Sequence, residues 1–349
     1  MTRSALRLTT CMSLVAALAS VARGSAQVTV RVDSSRHQVV IVAGPWGIPA
    51  ASPGNGVHAG HADAPTVTFV WPVDGWVHGA RLRIVAADGT TLSRRLIHHI
   101  QMINFSRREL AYPAAERLAG FGGETDDLHL PASIGVPVAA GMAMAIATAW
   151  RNPDPTPIRD VRVEFTVDWL PTNFVPRPVS VLPVALVVIH DVFEHNAFDL
   201  APGASTYSRD FAWALPGRIL AAGGHLHDYG TTLSLVDLST SSPRKVLSIS
   251  SRRDSSGHVL GVGRLLPGAM GSGIALKAGR TYRVESRYEN TSGAAITGGA
   301  MTHLVLLFAP DRLSSWPAVD TTDALWKQDQ DIIFMRDMHG MTMPDGHRR

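Results

Sequence analysis

Residues 161–167 read Val-Arg-Val-Glu-Phe-Thr-Val, and residues 282–288 read Tyr-Arg-Val-Glu-Ser-Arg-Tyr. Apolar side chains at every second position set one side of an extended chain against a core and the other against water. A helix would scatter the same residues around its circumference. Similar patterns return at Val28–Val32, His37–Val42, Thr66–Val70, Arg81–Val85, Thr231–Val236, Lys245–Ser250 and Leu304–Phe308. Turn signals separate the runs: Asp88-Gly89, Asn152-Pro153, Pro202-Gly203, Pro267-Gly268 and Ser292-Gly293. The apolar run Val181–Ile189 stops at His190 and Asp191 and reads as a buried strand. Many short strands of this kind predict an all-β fold of two packed antiparallel β-sandwich domains, jelly-roll-like in form. Helices are expected only near Tyr112–Leu118 and Thr322–Gln328.

A chain of 349 residues is long enough for about two such domains. With 45% apolar and 17% charged residues, wholesale disorder is excluded. The stretch 170–178 (LPTNFVPRP) is proline-rich and aperiodic, which sets the boundary between domains at 27–175 and 176–325. Residues 326–349 are set apart as a Met/His-rich tail.

Residues 1–26 have the form of a secretory signal peptide: Arg3 and Arg7, an apolar run from Leu8 to Ala22, then Gly24 and Ala26 before Gln27. The run is short of the about 20 apolar residues that span a bilayer, and no later segment is long enough, so no membrane span is expected after cleavage. The formal charge of +3 comes from the leader, since removing Arg3, Arg7 and Arg23 leaves 29 basic against 29 acidic residues. A neutral chain lacks the broad basic footprint of a nucleic-acid partner. The single cysteine, Cys11, also lies in the leader, so the remaining chain has neither disulfide nor thiolate ligand. The expected location is periplasmic or extracellular, and any metal site must use His, Met, carboxylates or backbone.

The 15 histidines are grouped. His98-His99 lies in RRLIHHIQMINF, and His225 and His227 lie in AAGGHLHDYG. Met301 and His303 lie in TGGAMTHLVLLF, and the tail carries Met335, Met338, His339, Met341, Met343 and His347. His-x-His on a strand sets both imidazoles on one face. Imidazoles with a thioether suit copper, above all Cu(I), better than zinc or magnesium. Adjacent His98 and His99 point to opposite faces of a regular strand, so both reach one metal only at a bulge or bend; otherwise one is a ligand and the other structural. Asp228 and Tyr229 are either partners that orient His227 or simply the turn after the strand. Gly223 and Gly224 leave room for a neighbouring strand to approach.

The segments FDLAPG, ILAAGGHLHDYG and YENTSGAAITGGAMTHLVLLFAP, between about 197 and 310, resemble the second copper domain of the copper type II, ascorbate-dependent monooxygenases. These are the peptidylglycine alpha-hydroxylating and dopamine beta-monooxygenase-like proteins. The resemblance implies copper held by His225, His227 and Met301. In the first half it implies an electron-relay copper at His98 and His99. The third histidine of that relay site falls at Ala149, before Trp150 and Asn152-Pro153, with His129 a possible substitute from elsewhere. The family's disulfides are absent. The peptide-hydroxylating branch has an Arg where this chain has Gly223, and Asn and Tyr where it has His303 and Val305, which excludes peptide amidation.

Besides a metal-free binding or structural module that keeps only the fold, two functions are consistent with these residues. One is O2-dependent hydroxylation of a small substrate at one or two coppers, with ascorbate or another reductant as electron source. The other is a non-enzymatic periplasmic copper carrier, buffer or sensor, whose partner is a copper donor.

Overall fold

The computed structural model describes residues 27–51, 61–188, 197–268 and 272–335. The leader with Cys11, and Met338, His339, Met341, Met343 and His347 of the tail, lie outside the described residues. The protein is all-β. The 161–167 segment sits within strand Ile158–Leu170, where buried Val161, Val163, Phe165 and Val167 alternate with half-buried Arg162, Glu164 and Thr166. That strand lies between Gln38–Ile48 and Gly75–Val85 in an eight-stranded sheet.

A second sheet runs His61–Val70, Ala143–Arg151, Ile97–Arg108, Ala115–Phe121. The two sheets share one core, to which Ile41, Phe165 and Leu82 contribute from the first and Ile100, Ile146 and Trp150 from the second. Residues beyond about 182 build another core. Its two main sheets are Leu182–Val187, Thr302–Pro310, Gly217–Leu226, Ile274–Leu276, and Gly203–Ala212, Thr281–Asn290, Gly230–Asp237, Arg244–Arg253, Val259–Val262. Leu186, Leu304 and Leu306 of the one meet Leu233, Leu235 and Val284 of the other. Pairing is antiparallel except where Val179–Ser180 runs parallel to Ile134–Val138. No helix among the described residues is long and apolar enough to cross a membrane.

Two local expectations need correction. The helix expected near Tyr112–Leu118 is instead strand Ala115–Phe121, paired with Ile97–Arg108. Ala114 and Ala115 favour helix in isolation, but both are fully buried here, and tertiary pairing overrides propensity. The second helix does form, as Ala324–Met335, but the tail boundary at 326 cuts through it. Trp326 and Ile333 pack on Ile103, Ala115, Ala145 and Ala147 of the first half. Asp329, wholly buried, takes the Arg117 guanidinium with both oxygens and the Ala115 N–H as well. Removing one partner of such a buried pair costs about 3–5 kcal/mol.

The halves interpenetrate. Leu110, Tyr112 and Ala114 pack in the second core, while Leu220, Ala221 and Leu307 pack in the first. The Tyr112 hydroxyl accepts from the Val187 N–H at 3.2 Å, and the Trp316 indole donates to the Arg108 carbonyl at 2.8 Å. Buried Glu109 accepts from the Arg117 N–H at 3.0 Å and from the Ala185 N–H at 3.2 Å, so one carboxyl ties a strand of each half.

Burial pushes the Glu109 carboxyl from 4.5 up to about 8, against those N–H donors and Arg117. The folded state then keeps a proton that the unfolded chain releases above pH 4.5. This contribution is complete below pH 4.5 and is lost as pH rises through about 8, at about 1.4 kcal/mol per unit. Stability from urea titrations should fall more steeply with pH across that window in the native protein than in Glu109→Gln, the opposite contribution of buried His99, His227 and His303 below 6.5 being common to both. An equal slope in the variant would assign it to another group.

Candidate metal centre

Strand Ile97–Arg108 begins after a single 3-10 turn, Arg94–Leu96, whose cap Ser93 accepts the Arg95 N–H. Opposite it on Ala143–Arg151, Ala149 pairs with His99 but Trp150 pairs with Ile97. His98 is thus the extra residue of a β-bulge, the irregularity that adjacent histidines need to share a face. Their ring centroids lie 3.9 Å apart.

The second half supplies three more imidazoles. On strands Gly217–Leu226 and Thr302–Pro310, His225 pairs directly with His303. The ladder continues one step further, where the His227 N–H donates to the Met301 carbonyl at 3.3 Å. This register sets His225, His227, Met301 and His303 on one sheet face. Gly224 belongs to the other face, where an added Cβ would lie 2.4 Å from the His303 carbonyl oxygen. The buried Tyr288 hydroxyl donates to the Met301 carbonyl at 2.5 Å and also meets the Thr302 hydroxyl, which pins the backbone of the pair.

The sequence assigns His98 and His99 to one site and His225, His227 and Met301 to another. In the fold the five histidines form one cluster. The His99 and His225 Nε2 atoms face each other at 3.3 Å. One nitrogen each of His98, His99 and His227 lie within 4.8 Å of one another. His303 stacks on His99 with centroids 6.4 Å apart and lies tilted to His225 at 5.7 Å. Ala149, where the resemblance calls for a third relay histidine, stands directly across from His99, and His227 of the other half brings the third nitrogen instead.

Glu124 completes the arrangement. Its Oε1 accepts from His225 Nδ1 at 2.6 Å, which leaves His225 Nε2 turned toward His99. Burial raises the Glu124 carboxyl, but attraction and the hydrogen bond from His225 outweigh it and hold the group below its ordinary range. Burial, reinforced by the neighbouring imidazoles, holds His99 and His227 well below 6.5. The same causes take His303 to about 3. These rings are therefore neutral near pH 7, and a neutral imidazole offers a lone pair to a metal. The Nε2 atoms of His227 and His303 are buried without a hydrogen-bond partner. Unfilled buried nitrogens of this kind, with imidazole and thioether donors on one face, fit a nitrogen-preferring transition metal.

Glu124 and His303 lie outside the five site residues that the sequence assigns. His303 shares the Met301 spacing, a usable signal, whereas Glu124 meets its partner across 101 residues and carries no local mark. Asp228 orients His258 rather than His227, at 3.1 Å, and also accepts the Val259 N–H. His129 is exposed, on strand Leu128–His129 beside Gly79, and is not among the three grouped nitrogens.

No family model and no curated protein matches the chain. Among solved structures it is similar to a chain of the Sulfolobus Turreted Icosahedral Virus, at 9% identity over 72% of this chain, with a TM-score of 0.20. This chain spans 60% of the length of the virus chain. The 11S allergen from Cocos nucifera matches at 8% identity over 79% of this chain and 82% of its own, with a TM-score of 0.10. Neither likeness carries weight for fold or function.

The Glu124 contact predicts which His225 nitrogen carries the proton. Long-range nitrogen–proton NMR spectra should show His225 protonated at Nδ1, and Glu124→Ala should remove that preference. An Nε2-protonated His225 in the native protein would contradict the geometry.

Proposed function

We propose that the five-histidine cluster is a copper centre shared by the two halves of a secreted protein, and that its activity is O2-dependent hydroxylation of a small substrate. The observation that carries this reading is the pair of buried, unpartnered Nε2 atoms on His227 and His303 within a cluster of imidazoles. His98, His99 and His227 would hold one ion, with His225, His303 and Met301 as the further donors of the cluster. Met301 is the reason to name copper, because a thioether beside imidazoles favours the soft Cu(I) state. The likeness to copper type II monooxygenases rests on the motifs around these same residues. Copper would supply one-electron activation of O2, with electrons from ascorbate or another reductant.

The chain's own residues prepare the site. Glu124 fixes the His225 ring so that Nε2 faces the cluster, the carboxylate–histidine arrangement that orients metal ligands. Burial keeps His99, His227 and His303 unprotonated at neutral pH. A leader and a thiol-free remaining chain are consistent with a periplasmic or extracellular protein.

Elemental analysis of the copper-loaded protein tests the reading. A shared centre predicts that His98→Ala and His227→Ala weaken the same copper, although they lie in different halves. Glu124→Gln should lower copper affinity about 10–100-fold, as loss of a ligand-orienting partner does. Copper retained in full by all three variants would sink the proposal. Ascorbate-dependent O2 uptake that disappears in His225→Ala supports an enzyme. Bound copper without uptake would overturn the hydroxylation reading in favour of a carrier or buffer.

A further inference from the structure

The cluster borders two cavities of opposite character. On the side of His98 and His227 lies a cleft of about 400 Å³ whose walls include Arg95, Arg151, Asp228 and His258. On the side of His99, His225 and His303 lies a cavity of about 220 Å³ between the halves. Leu118, Phe121 and Leu130 of the first half and Ala221, Leu265 and Val305 of the second form much of its wall.

The charged groups on that wall are largely spent on protein partners. The Arg117 guanidinium is held by Asp329, and the Arg264 guanidinium donates to the carbonyls of Asp126 and Asp127 at 2.6 and 2.5 Å. Glu124 is held by His225, and Asp126 is exposed with Arg264 beside it. A charged ligand entering here would lose its water and find Arg117 and Glu124 already paired and Arg264 held by backbone carbonyls. An apolar ligand loses nothing comparable. An apolar cavity of about 150 Å³ accommodates benzene, so this one has room for a ring with a short substituent or a small bicyclic molecule.

The sheet register shows how the space arises. Gly223 pairs with Val305 two residues before the His225–His303 pair, so all four stand on the same face. A Cβ added at Gly223 would meet only the Arg264 Cγ, at 3.6 Å, an ordinary contact. Gly223 therefore does not serve strand approach, as Gly224 does; its missing side chain is part of the cavity.

We propose that this cavity binds a small, neutral, predominantly apolar molecule, of the size of a substituted benzene, beside His99, His225 and His303. As the substrate pocket it rests on the copper reading; as a binding cavity it does not.

The test begins with metal-free protein and ligand-observed NMR. Ethylbenzene and indole are the neutral probes, and benzoate and benzylamine are the charged ones. The neutral probes should bind at least about tenfold more tightly, because burying an unpaired charge is costly. Gly223→Leu should fill the cavity and weaken the neutral probes by a similar factor while the thermal transition is kept. Val305→Phe, from the paired strand, is an independent filler should the first variant fold poorly. Equal binding of charged and neutral probes, or binding untouched by both fillers, overturns the proposal. Adding Cu(II) separates the two readings, since a copper in the cluster should broaden the resonances of the bound probe. Probes that bind without broadening would break the link to the copper centre but leave the cavity standing. Copper binding in a protein that takes up no neutral probe would overturn the cavity and leave the centre.

Discussion

Glu109 is where the two halves are tied, and the histidine cluster depends on that tie. His98 and His99 stand on a strand of the first half, and His225 and His303 on paired strands of the second, with His227 one step beyond. No strand ladder joins the Ile97–Arg108 strand to the Gly217–Leu226 strand. Their spacing is set by contacts around the junction: the Glu109 carboxyl between two backbone N–H groups, Tyr112 on Val187, Trp316 on Arg108, and Arg264 on the 126–127 carbonyls. A small rotation between the halves would open the 3.3 Å contact of His99 with His225. Metal chemistry of the kind proposed needs donors held to within a fraction of an ångström, so the precision of the centre is inherited from the junction.

Gathering the rings has an energetic cost that the fold must offset. Each is removed from water, and burial is the first cause of the low proton affinity of His99, His227 and His303. Two Nε2 atoms gain no hydrogen bond in return. A buried imidazole nitrogen without a hydrogen bond calls for a partner such as a bound ion.

The fold was legible because strand alternation is a local code. Val161, Val163, Phe165 and Val167 are buried where their spacing said they would be, and Tyr282, Val284 and Tyr288 likewise. The segment after Tyr112 reads as helix from sequence because its alanines and glutamate favour helix until a strand partner is in place. Among site residues, His225 and His227 announced their shared face through a spacing of two. His98 and His99 gave a conditional signal that a bulge resolved. What could not be read was the meeting of the two groups, because it depends on how separate sheets dock. Glu124 was hidden for the same reason, and Ala149 marked a missing ligand without revealing that another half of the chain reaches its neighbourhood.

The helix Ala324–Met335 closes the chain's described part, yet it completes the first half rather than the second. Asp329 neutralises Arg117 and takes up the Ala115 N–H, and Trp326 and Ile333 cover the outer face of the second sheet of that half. In synthesis Asp329 follows Arg117 by 212 residues, and domains generally fold in order of emergence. Until this helix is in place, the first half holds an uncovered apolar face and a buried Arg117 guanidinium without its Asp329 partner. The first half is therefore complete only once this helix has docked on it.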